Sequence, residues 1–153
     1  MLGQGWQGQW ARVQRRLDGV RDVYADTPSP GTEGALDSVL CFFEAIHHLR
    51  DWLGNDPAIT VKEADCNALI NKNLSLRLCG DLANGSKHLK LTSTWTGDLS
   101  TTIPGSEANV LLGPGTVAHR FHVESGGRRY DALQVAEDGV AEWATFLSSR
   151  GLH

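Results

Sequence analysis

Arg77, Asp81, Asn84 and His88 follow one another at steps of four, three and four residues, which places them within about 60° of one another on a helix. A guanidinium, a carboxylate, an amide and an imidazole on one face can hold an anion, orient a histidine and pass a proton. Lys87 adds a second cation beside His88. Gly80 and Gly85 flank this stripe. A glycine inside a helix costs about 1 kcal/mol relative to alanine, so two of them predict the close approach of a neighbouring backbone or a ligand. The stripe reads in three ways: a functional site, a structural network joined to a second helix, or a solvated face.

Glu44, His47 and His48 form a second, supporting group. Glu44 and His48 lie one turn apart, whereas His47 falls among Leu36, Leu40 and Phe43 on an apolar side, where a histidine is most often a satisfied core residue. The spacing Glu44-x-x-His47 occurs in di-iron bundles, but these require a matched second set, and Asp81 with His88 does not supply one. His119 and His122 fall on opposite faces of a strand. The expectation is therefore no metal and no cofactor. A small metal-dependent enzyme built from Glu44, His47, Asp81 and His88 stands as an alternative. No Gly-x-Ser-x-Gly elbow or P-loop is present; Gly113-Pro114-Gly115 lacks the lysine that a phosphate loop needs.

The elements that must position these residues follow from periodicity. Trp6, Trp10, Val13, Leu17, Val20 and Tyr24 recur at alternating steps of four and three, predicting an amphipathic helix over 5–25 whose narrow seam packs in the protein's own bundle. Thr27-Pro28-Ser29-Pro30-Gly31 breaks it. A second helix over 33–53, with Thr32 as N-cap, is apolar around most of its circumference, so it belongs in the middle of the bundle. Thr60 and Glu63 form a capping box for a third helix over 61–71, and a fourth runs over 74–88. From Leu89 to Trp95 the period becomes strand-like. Val117 to Glu124 also alternates, and Ser125-Gly126-Gly127 makes a hairpin turn towards Arg128–Tyr130. A short strand is expected at Asn109–Leu112. The last helix spans 132–150, with Asp131 as N-cap and Gly151 as its stop. The predicted fold is mainly α (α+β): a four- to five-helix bundle in one domain over 1–153, with a small antiparallel β-ribbon, region 89–130, before the last helix.

Composition narrows the function classes. At 153 residues with 41% hydrophobic and 21% charged side chains, the chain can bury about 70% of its unfolded surface, which argues against disorder. No apolar run reaches the length of a membrane helix, and the N-terminus lacks a secretion signal, so a cytoplasmic location without membrane association is expected. Cys41, Cys66 and Cys79 are odd in number and widely spaced, as expected for reduced thiols acting as small apolar groups. A net charge of −4 weighs against nonspecific nucleic-acid binding. Two local basic groups, Arg12, Arg15, Arg16 and Arg21 and then Arg120, Arg128 and Arg129, read as solvated faces.

Cys41-Phe-Phe-Glu-Ala-Ile-His-His-Leu-Arg-Asp-Trp-Leu53, followed by Leu78-Cys-Gly-Asp-Leu-Ala-Asn-Gly-Ser-Lys-His88, resembles a group of uncharacterised bacterial proteins that is itself similar to the HEPN superfamily of helical bundles. The likeness covers about residues 33–90 and the last helix. It implies a homodimer and an RNA-directed, defence- or toxin–antitoxin-related role. The activity it implies is a metal-independent ribonuclease, with His88 as general acid or base, Arg77 or Lys87 stabilising phosphorane charge, and Asn84 and Asp81 orienting the histidine. The superfamily places its arginine four to six residues from its histidine, whereas ten residues separate Arg77 from His88 here. The other reading from a different class is a noncatalytic protein-interaction module, in which the same stripe is a structural polar network.

Overall fold

The computed structural model describes residues 5–25, 27–28, 31–87, 93–104, 106–110 and 116–153, with 27–28, 106–110 and 116–117 described by backbone alone. Five helices carry the fold: α1 (Gly5–Tyr24), α2 (Thr32–Asn55), α3 (Glu63–Lys72), α4 (Leu74–Lys87) and α5 (Ala132–Ser149). An antiparallel β-region precedes the last of them, made of β2 (Ser106–Val110), β3 (Thr116–Ser125) and β4 (Arg128–Asp131). The mainly α architecture with a β-element before α5 is as the sequence predicts. No described helix is long and apolar enough to cross a membrane.

The seam of α1 enters the protein's own core. Trp6, Val13, Leu17 and Val20 are buried, and Trp10 and Tyr24 pack against them half-buried. Helices α1 and α2 run antiparallel. Asp56, just past the end of α2, accepts the Trp6 N–H at 3.0 Å and so satisfies one orphan donor at the start of α1. Between these ends, Gln9 is 1% exposed and donates from Nε2 to the Ala45 carbonyl at 2.8 Å. Phe42, Phe43, Ile46, Leu49 and Leu53 on α2 are fully buried, which makes α2 the central helix. On α5, a Cβ at Gly139 would lie 3.1 Å from Ile46 Cδ1 and 3.4 Å from Cys79 Sγ. The missing side chain lets α5 press onto α2 and α4 together. Cys66 and Cys79 are buried and Cys41 half-buried, all three as free thiols, and burial pushes the Cys66 thiol up to about 11.

Two helix starts differ from the sequence reading and a third agrees. Thr32 lies inside α2, preceded by Gly31 at φ 91°. The predicted Thr60–Glu63 capping box does not form. Lys62 is the N-cap of α3 instead, and its N–H is accepted by Asp65 at 2.9 Å, two residues later than expected. Asp131 does cap α5, accepting the Gln134 N–H at 3.0 Å.

β3 is the spine of the sheet. It pairs with β2 from Ser106↔Phe121 to Val110↔Val117, and with β4 from His122↔Asp131 to Ser125↔Arg128 through a turn at Gly126-Gly127. The predicted strand at Asn109–Leu112 begins earlier, at Ser106; its residues 111–112 lie outside the described residues. A short β1 (Thr27–Pro28) joins the edge of β3 at Val117 and Thr116. Pro28, with Pro30 and Gly31 after it in the sequence, made the segment read as a plain break, although an edge strand tolerates proline. The strand expected to reach Trp95 is not present there. Leu89 and Leu91 lie outside the described residues, and 93–101 is a run of bends and turns. Tyr24 binds this sheet to the helices. Its hydroxyl accepts the N–H groups of Phe121 and Leu133 at 3.1 and 3.2 Å, and lies 2.8 Å from Asp131 Oδ1 and 2.9 Å from the Phe121 carbonyl, to one of which it donates.

Candidate functional site

Asp81 lies in the middle of α4 and is fully buried. Burying a carboxylate is costly unless donors surround it, and here the donors come from the irregular segment that begins at Ser93. Oδ1 accepts the Trp95 N–H at 2.6 Å. Oδ2 accepts the Thr96 N–H at 3.1 Å and the Thr96 hydroxyl at 2.5 Å, and the Thr101 hydroxyl lies 3.5 Å from it. The helix thus fastens a loop that has no ladder of its own to satisfy its backbone.

A second carboxylate completes the fastening from the loop side. Asp98 Oδ1 accepts the N–H and hydroxyl of Ser100 at 2.9 and 2.7 Å. Its Oδ2 accepts the Ser125 hydroxyl at 3.4 Å and the Gly126 N–H in the β3–β4 turn. These donors hold the Asp98 carboxyl down at about 2. Thr101 and Ser125 share a hydrogen bond of 2.8 Å, and Thr102 exchanges both backbone hydrogen bonds with Glu124 on the side of β3 away from β4. One polar network therefore runs from α4 through the loop to the hairpin. Leu99 stands on the far side of this loop, 58% exposed.

Above Asp81 the two helices α2 and α4 meet at Gly80. A Cβ there would lie 2.7 Å from Trp95 Cδ1 and 3.1 Å from His47 Cε1, so this glycine is the close approach that its cost implied. Gly85 has no such neighbour within 4 Å, and the expectation of a close approach fails there. The rings of His47 and Trp95 meet edge to face with centroids 5.8 Å apart, and the Arg50 guanidinium lies 5.4 Å from the Trp95 ring centroid. His47 is buried, and desolvation together with the Arg50 charge lowers its pKa from 6.5 to about 4. It is neutral near pH 7. His47 Nδ1, Arg77 Nε and Thr94 Oγ1 are buried without a hydrogen-bond partner, so His47 is a core histidine but not a satisfied one.

The remaining sequence-selected residues spread along the same helices. Glu44 is half-buried and accepts the Ser86 hydroxyl at 2.7 Å, tying α2 to the end of α4. His48 and Lys87 are exposed and Asn84 is half-buried. His88 lies outside the described residues. No three His, Cys, Asp or Glu side chains gather as a metal would require among the described residues. The structure thus brings His47 to Gly80, beside Asp81, with Arg77 one turn earlier on α4, and leaves Glu44 and His48 off this junction.

Sequence reasoning missed Trp95, Thr96, Asp98, Thr101 and Ser125. Their signal is present in Thr94-Trp-Thr-Gly-Asp98, where Thr and Asp side chains form local turns that compete with a strand. No family model, curated protein or solved structure matches the chain.

Proposed function

We propose that this chain is a noncatalytic interaction module, in which the polar face of α4 is the framework that holds a recognition loop on the bundle. The observation that carries this reading is the engagement of both oxygens of the buried Asp81 by the loop. The 95–101 loop donates to both, the Trp95 N–H to Oδ1 and the Thr96 N–H and hydroxyl to Oδ2. Asp81 is committed to the loop rather than to a histidine. His47, neutral and buried, is a poor proton carrier near pH 7. Asp98 serves the same loop, whose outer side presents Leu99 to solvent. A loop braced from below loses little entropy when a partner covers it, which favours binding.

The test is incubation of the purified protein with a mixed RNA pool in metal-free buffer, alongside His88→Ala and Asp81→Asn. The expected result is no cleavage above the buffer control by any of the three, with a lower melting temperature for Asp81→Asn. Cleavage by the wild-type protein that disappears in a normally melting His88→Ala would overturn the reading and restore a metal-independent ribonuclease.

A further inference from the structure

Buried side-chain nitrogens and oxygens almost always find hydrogen-bond partners, and each exception calls for a physical reason. Three exceptions lie on elements that meet at Gly80: His47 Nδ1 on α2, Arg77 Nε on α4, and Thr94 Oγ1 in the segment whose Trp95 packs over Gly80. His47 and the Trp95 ring both lie over Gly80. Arg77 stands one turn before Gly80 on the same face of α4, and Thr94 directly precedes Trp95. The two helices run antiparallel, with His47 opposite Gly80 and Glu44 bonded to Ser86. Arg50, one turn beyond His47, therefore sits at the level of Arg77.

The two arginines at this junction are not equally paired. Arg50 is paired with Asp51 at 3.1 Å and reaches Asn67 at 3.5 Å. Arg77 has no ion pair among the described residues. Asp81, one turn away, turns both oxygens to the loop. A partly desolvated guanidinium without an acceptor is costly, and all three unpaired atoms can act as donors: Arg77 Nε–H, the Thr94 hydroxyl, and His47 in its Nδ1–H tautomer.

We propose that the junction of His47, Arg50, Arg77 and Thr94 is a binding site for an oxyanion, the phosphate or carboxylate group of a small ligand. Arg77 and Arg50 supply the charge, Arg77 Nε and the Thr94 hydroxyl donate to the anion's oxygens, and His47 adds a neutral donor. The Trp95 ring closes one side. This inference rests on the noncatalytic reading only in treating the junction as a place of binding rather than of bond cleavage.

The experiment is titration with inorganic phosphate, and separately with acetate, at fixed ionic strength. Two readouts are followed: the Trp95 indole N–H and His47 ring resonances by NMR, and the melting temperature. Saturable shifts at both residues are expected, with a higher melting temperature. Binding should weaken about tenfold or more in Arg77→Met, because a charge-assisted pair is lost, and also in Arg77→Lys, which keeps the charge but not the Nε donor. Response to phosphate alone assigns a phosphate ligand, and response to acetate alone a carboxylate one; response to both supports the shared site. No saturable shift with either anion, or equal shifts in both Arg77 variants, would overturn the proposal. RNA cleavage is not among the readouts, so failure of this site and failure of the noncatalytic reading are separately visible.

Discussion

Asp81 holds Trp95 by its backbone while Gly80, the residue beside it in α4, makes room for the Trp95 ring. The carboxylate accepts the Trp95 N–H at 2.6 Å, and the Cβ that Gly80 lacks would stand 2.7 Å from Trp95 Cδ1. Two adjacent helical residues thus set both the position of one loop residue and the space for its side chain.

Gly80→Ala is expected to lower stability by roughly 1–3 kcal/mol, the usual cost of overpacking, because neither the ring nor His47 can retreat without disturbing the loop. Gly85→Ala, on an exposed position with open space around it, is expected to stabilise by roughly 0.5–1 kcal/mol. Urea midpoints of the two variants check the opposite signs.

Asp81→Asn keeps the shape but turns an amide N–H₂ towards donors. The expected loss is roughly 3 kcal/mol, from charged hydrogen bonds removed and loop donors left without an acceptor. Hydrogen exchange at the Trp95 and Thr96 amides should speed up in the same variant. Unchanged exchange there would show that Asp81 does not hold the loop.

Stability should fall with acid in a window set by His47. Its pKa is lowered from 6.5 to about 4 by folding, so between these values the unfolded chain binds a proton that the folded one refuses. The contribution is fully present above pH 6.5, decreases as pH drops, and levels off below about pH 4. Its full span is about 3 kcal/mol. In His47→Gln the urea midpoint should lose this slope between pH 6.5 and 4.

Tyr24→Phe removes the acceptor of two buried N–H groups and a partner of Asp131. A destabilisation of roughly 1–3 kcal/mol is expected. Burial raises the hydroxyl's pKa to about 12, so alkaline difference spectra of the wild type should show one tyrosine ionising about two units later than a free one.

Much of the helical frame is legible in the residues themselves. The steps of four and three from Trp6 to Tyr24, and the nearly continuous apolar surface of α2, specify which helix lies at the centre because helix burial repeats locally. The hairpin at Gly126-Gly127 is legible for the same reason. Asp81 was legible as a member of a polar stripe, but not as a buried loop anchor, since its donors lie 14 to 20 residues further along the chain. The Trp95 segment was misread because alternation of Thr with apolar residues imitates a strand, while the carboxylate that prevents one sits on another element. Gly80 and Gly85 are indistinguishable in sequence; only the ring packed over the first separates them.

Tyr24 closes contacts with residues 97 and 109 positions further along the chain. Helix α1 is synthesised before β3 and α5, and its anchoring hydroxyl lacks these partners until both exist. Closing so long a loop before any reward from contact slows folding. The α1–α2 hairpin therefore lacks these Tyr24 contacts until β3 and α5 dock, and that docking is the step that joins the sheet to the helices.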